Sequence, residues 1–208
     1  MKSAPPPPRS KGRPRAFDAG DALDRALHVF WKQGYEGTSM SDLTAAMGIN
    51  RPSLYAAFGN KEQLFAKAVE RYNSDRTCFM SKALGQPNAR RVAEQLLRGV
   101  VDMLCDPTTP AGCLMVQGAL CSSAGAEAVR QTLAAGRKEA QVAIQTRLKR
   151  AIAEGDLPRG SRAGDLARYL STVMNGLAVQ ASGGASRKEL RSVAELALKA
   201  WPGSLQGG

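Results

Sequence analysis

After residue 16 apolar side chains recur at three- and four-residue steps, and no stretch alternates with polar residues as a strand would. Ala22, Leu23, Ala26, Leu27, Val29, Phe30 and Trp31 form the stripe of a first helix that Gly34 is placed to stop. A second, short helix covers residues 40–47 with Leu43 and Met47 inward. Gly48 then supplies a turn, Ile49 plugs the space between helices, and Asn50 caps a third helix. Pro52 falls in its first turn, where an absent N–H leaves no bond unmade. Leu54, Tyr55 and Phe58 follow before Gly59 and Asn60 end it. Asn60 and Gln63 have the spacing of a capping box for a long fourth helix, whose buried stripe is Leu64, Phe65, Ala68, Val69 and Tyr72.

Gly and Pro punctuate residues 85–88, and an amphipathic helix follows over 90–104. Residues 106–110 form a loop, and 112–121 a small-residue apolar segment that predicts a short buried helix. A long helix over 127–153 carries Leu133, Val142, Ile144, Leu148 and Ile152, and residues 154–158 terminate it. Two more helices cover 161–181 and 186–201, with Ser161 and Ser186 as N-caps. The expectation is an all-α chain: a flexible basic arm at 1–15, a helical unit at 16–61, a connecting helix at 62–84 and a second helical domain at 85–208. Two short helices held at a steep angle around a turn glycine make a helix-turn-helix, whose second helix fits the major groove of B-DNA.

Charge sharpens that picture. The chain carries a formal net charge of +11 and a pI near 9.9, which favours a polyanionic partner without saying which. The arm holds four consecutive prolines with Lys2, Arg9, Lys11, Arg13 and Arg15 and no acidic residue. No apolar run approaches the roughly 18 residues of a membrane span, and no apolar segment follows the basic start as in a secretory signal, so the expectation is a cytoplasmic protein with no membrane partner. The four cysteines, Cys78, Cys105, Cys113 and Cys121, form no CxxC pair and read as reduced, buried small hydrophobes. The single histidine, His28, reads as packing. No metal-ligand spacing, nucleophile elbow or phosphate-binding glycine loop is present, so no catalytic residue, metal or cofactor is expected.

Four short stretches carry a resemblance: Gly12-Arg13-Pro14-Arg15; Phe30-Trp31-Lys32-Gln33-Gly34-Tyr35-Glu36-Gly37-Thr38-Ser39; Met47-Gly48-Ile49-Asn50-Arg51-Pro52-Ser53-Leu54-Tyr55; and Phe58-Gly59-Asn60-Lys61-Glu62. In spacing, turn glycine and fourth-helix start, residues 11–72 resemble the amino-terminal domain of TetR/AcrR-type regulators, while the remainder is similar in helical plan and length. The resemblance implies that Arg51, Pro52, Ser53, Tyr55 and Ala56 occupy a DNA-recognition helix, with Arg51 suited to a bidentate contact with guanine. It implies phosphate contacts for Tyr55 and Lys61, the latter at a helix start whose dipole also favours phosphate. Ser39 and Ser41 are placed to bond the DNA backbone, and Arg13 and Arg15 to enter the minor groove. Each has a plainer reading: Tyr55 packing its ring, Arg51 a solvated charge, the arm disordered without DNA. Leu54 and Phe58 read as core.

The resemblance further implies a homodimer formed through the last two helices, reading a palindromic operator in double-stranded DNA. Ala167, Ser171, Gly176, Ala178, Ala194 and Ala197 would permit close helix approach, and Leu170, Val173, Leu177, Leu190, Val193 and Leu196 would fill the seam, some of them facing the monomer's own core instead. It also implies that residues 85–208 enclose a pocket for a small-molecule effector. The expected lining is Leu104, Cys113, Leu114, Met115, Gln117, Met174 and Val179, which suits a small lipophilic ligand that releases a repressor. Alternatives are a regulator sensing oxidants or electrophiles through its cysteines, a transcriptional activator, and a non-specific DNA-packaging protein. No basic residue lies within a helical turn of Cys113 or Cys121, which argues against a sensing thiol.

Overall fold

The computed structural model describes residues 17–117 and 126–202, excluding the side chains of 75–77. Within them lie nine helices and no strand: α1 Ala19–Gly37, α2 Met40–Met47, α3 Arg51–Phe58, α4 Lys61–Leu84, α5 Ala89–Leu104, α6 Leu114–Gln117, α7 Glu127–Ala153, α8 Ala163–Ser182 and α9 Arg187–Lys199. No helix among the described residues is long and apolar enough to cross a membrane.

The helix ends follow from local chemistry. Asp18 caps α1 through bonds from the Gly20 and Asp21 amides, and Gly34, at φ 74°, breaks it one turn before its nominal end. Ser39 and Asp42 form a reciprocal capping box on α2, and Gly48, at φ 68°, closes that helix in the left-handed region. Asn50 caps α3 by accepting from the Ser53 amide at 2.9 Å, and Asn60 and Gln63 exchange both bonds at the start of α4. Ser186 caps α9 as expected, but Ser161 does not cap α8. That helix starts at Ala163, Arg162 holds the cap position, and no side chain bonds the free amides.

α1 packs on α2 and α4, and α3 closes over the end of that group. Its core is aromatic: the Phe30 and Phe65 rings meet edge to face at 5.0 Å, and Trp31 meets Tyr72 likewise at 4.8 Å. α5 packs on α8 and α9, α7 on α8, and α4 on both α5 and α7. One continuous apolar cluster therefore runs from Ala22 to Trp201, and α4 contributes to both ends of it.

The α4–α5 corner is gripped from outside. The buried Arg147 of α7 donates to the carbonyls of Leu84 at 3.1 Å and Gln86 at 2.8 Å, placing a cation where the α4 dipole is negative. Asp156 accepts from the Ala89 amide at 2.5 Å, at the first turn of α5. α4 is thus held at its far end while its first turn carries Lys61 beside α3.

Two further expectations need correction. His28 is exposed rather than packed, standing beside the Asp24–Arg71 ion pair. Of the cysteines, Cys113 alone among those described is buried; Cys105 is half-buried, Cys78 is exposed, and Cys121 lies outside the described residues. An amphipathic helix turns any residue type outward when its position falls off the apolar stripe.

Candidate nucleic-acid interface and effector cavity

α3 buries Leu54 and Phe58 and turns Arg51, Pro52, Tyr55 and Ala56 to solvent; Ser53 is half-buried. Positions i, i+1, i+4 and i+5 of a helix share one face, so these four form a single surface. Tyr55 is 51% exposed, which rules out the reading of a packed ring. The α3 sequence contains no carboxylate to repel phosphate.

Neighbouring side chains set the posture of this face. Arg51 donates from Nη2 to Ser41 Oγ at 3.0 Å, so Ser41 serves Arg51 within the protein. Ser39 Oγ accepts from the Asp42 amide at 3.1 Å as the α2 cap. The Ser39 hydroxyl and amide hold the Asp42 carboxyl below the usual carboxylate range. Lys61 begins α4 half-buried, with its ammonium 4.5 Å from the Tyr35 ring centroid. Lys67 donates to the Ala57 carbonyl at 3.3 Å, setting a cation at the carboxyl end of α3. Arg13 and Arg15 lie outside the described residues.

Sequence reasoning missed Tyr35 and Lys67, because each acts on α3 or α4 across a gap in sequence. Their signal was weak: an aromatic residue just after the Gly34 break, and a lysine off the buried stripe of α4.

The second region of interest is a cleft of about 270 Å³ between α4, α6, α7 and α8. Met80, Met115 and Met174 supply its apolar surface; Asn73, Arg137, Glu139, Ser171 and Asn175 supply polar groups. Of the residues expected there, only Met115 and Met174 line it. Leu104, Cys113 and Leu114 are buried in the core instead. Gln117 Nε2 donates to the Ala111 carbonyl at 3.2 Å, and Val179 is 54% exposed on the outer surface of α8. The helical repeat marked Leu104, Cys113, Leu114, Met115 and Met174 as residues that avoid water, without separating tight core from cavity wall.

The stretch preceding α6 touches two helices of the amino-terminal group, α1 and α4. Trp31 Nε1 donates to the Gly112 carbonyl at 3.2 Å, and the Tyr72 hydroxyl lies 3.2 Å from Cys113 Sγ. Both contacts are buried. They join α1 and α4 to the element that carries Met115 into the cleft wall.

On α8 and α9 the expected seam divides. Leu170, Leu177, Leu190, Ala167, Ala178, Ala194 and Ala197 are buried within the monomer, while Val173 and Ser171 are half-buried. Val179, Val193 and Leu196 are exposed, and a Cβ at the exposed Gly176 would meet nothing within 4 Å. An open face of apolar and small side chains therefore spans the outer sides of both helices.

Comparison with known proteins agrees with this architecture. Residues 22–68 match the model for bacterial regulatory proteins of the tetR family, and residues 88–195 match that for the tetracyclin repressor-like C-terminal domain. The chain is 32% identical over 197 residues to the HTH-type transcriptional repressor ComR of Escherichia coli K12, covering 93% of each protein. It is 29% identical over 192 residues to the repressor BdcR of the same organism, covering 91% of each. A cysteine mutant of the TetR family transcriptional regulator CifR, solved with 26bp double-strand operator DNA, superposes with a TM-score of 0.88 at 45% identity, over 92% of this chain and 100% of that one. With a helix-turn-helix presenting an exposed recognition face and a helical second part of matching plan, the chain belongs to the TetR family of transcriptional regulators.

Proposed function

We propose that this regulator is a homodimeric repressor that binds a palindromic operator and leaves it when a small molecule occupies the cleft. The observation that carries the DNA half is the exposed α3 face, where Arg51 is held by Ser41 and shares the face with Tyr55, while Lys61 opens the next helix. Arg51 is the base reader, Tyr55 and Lys61 hold phosphates, and Ser53 and Ala56 complete the groove-facing surface. Residues 1–15 act as a basic arm, 16–61 as the reading unit, 62–84 as the connecting helix, and 85–208 as the dimerisation and effector domain. Dimerisation uses the open face of Val179, Val193, Leu196 and Gly176, and two-fold symmetry then dictates the symmetry of the operator. The repressor names of ComR and BdcR and the operator complex of CifR support the direction of control. The protein works in the cytoplasm and performs no catalysis.

Selection from a random duplex pool tests this reading. It predicts an inverted repeat whose half-sites lie about one helical turn, or a multiple of it, apart. Recovery of duplexes with no shared motif would refute it.

A further inference from the structure

Arg137 stands in the wall of the cleft, half-buried, with its Nη1 donating to the Met115 carbonyl. Among the described residues no carboxylate pairs with it. A guanidinium presents five donors in a planar fork, and one bond to a carbonyl leaves most of that capacity unused. Glu139 shares the cleft but is exposed, so water screens it more than it screens Arg137. In the same cleft, Met80, Met115 and Met174 offer an adaptable apolar surface. At about 270 Å³ the cleft is smaller than most drug-sized sites.

We infer that the effector is a small organic anion, an apolar body bearing a carboxylate, and that this carboxylate draws the Arg137 guanidinium away from the Met115 carbonyl. The inference rests on the reading of the cleft as the effector site and adds its chemistry and its trigger. A carboxylate outcompetes a neutral carbonyl for a guanidinium because both groups are charged and the fork fits two oxygens. Met115 belongs to α6, and the residues just before it hold Trp31 through the Gly112 carbonyl and Tyr72 through Cys113. Releasing Met115 therefore loosens α6 where it holds α1 and α4, the helices that carry the DNA reader. The ligand acts by binding the released conformer better than the latched one.

The test uses the full chain and the operator recovered by selection. Straight-chain and aromatic carboxylates are compared with carbon-matched amides and amines, with binding read by methionine-methyl NMR and release by operator anisotropy. The carboxylates are expected to shift the methionine signals and weaken operator binding about fivefold or more, as couplings between sites do. Arg137→Met, which removes every donor, should abolish that response and, without any ligand, weaken operator binding by a similar factor; Arg137→Lys, which keeps a charged donor but not the fork, should hold the ligand-free affinity near wild type and respond more weakly to carboxylates. Amides or amines acting as strongly as carboxylates would overturn the anionic class while leaving the effector site standing. Failure of every compound to shift the methionine signals would overturn both. Unchanged operator affinity in a folded, dimeric Arg137→Met protein would overturn the latch.

Discussion

Arg51 Nη2 lies 3.0 Å from Ser41 Oγ, tying the first turn of the recognition helix to the first turn of the helix before it. A long side chain at a helix start loses rotamer entropy when it reaches a base, and a bond that already restrains it reduces that cost. Arg51→Ala should therefore weaken operator binding by about 1–3 kcal/mol and relax the preference at one base pair of each half-site. Ser41→Ala should weaken it less at the same base pair and have no added effect in the Arg51→Ala background. Anisotropy titrations against single-base operator variants read both.

Phosphate contacts have a different signature. If Lys61 neutralises one phosphate in each reader, Lys61→Ala should lower the slope of log affinity against log salt by about 0.9 per contact. Tyr55→Phe removes a neutral donor to a charged phosphate, so it should cost about 1.5–3 kcal/mol while leaving the slope alone. An unchanged slope for Lys61→Ala would place that ammonium with the Tyr35 ring rather than on DNA.

Charges introduced into the open face of α8 and α9 should separate the subunits. In Val193→Glu combined with Leu196→Glu, two exposed apolar residues become carboxylates without disturbing the buried Ala194 and Ala197 beside them. The variant should remain helical, sediment as a monomer, and lose high-affinity operator binding, because one reader covers one half-site. A dimer at the wild-type concentration would move the interface elsewhere.

The capping box on α2 makes the reader sensitive to acid. Hydrogen bonds from the Ser39 hydroxyl and amide depress the Asp42 carboxyl below its ordinary 3.8. A depressed carboxylate contributes stability above the unfolded value and loses it as pH falls through the folded one. Relative to wild type, Asp42→Asn should be destabilised well above pH 3.8, and the gap should close as pH drops below that value. Urea unfolding across this range measures it; a gap independent of pH would mean that the carboxylate charge contributes nothing to the cap.

The amino-terminal group was legible because its determinants are local. Gly48, Asn50, Gly59 and Asn60 with Gln63 each act within a few residues, and the structure shows each cap and turn where those residues stand. The cleft was not legible, because its wall is assembled from Asn73 and Met80 of α4, Met115 of α6, Arg137 of α7, and Met174 and Asn175 of α8. Only the mutual placement of those helices decides that Met115 lines a cavity while its neighbour Leu114 fills the core. The same holds for the seam: Leu190 and Leu196 are equally apolar, and the crossing of α9 over α5 and α8 buries the first and leaves the second 61% exposed.

The most direct measurement is a side-by-side titration of the selected operator and a scrambled duplex of equal length at physiological salt. A two-fold reader with Arg51 on base edges should prefer the operator by about a thousandfold or more. Equal affinity for the two duplexes would contradict it, leaving the charge of +11 to bind DNA without reading it.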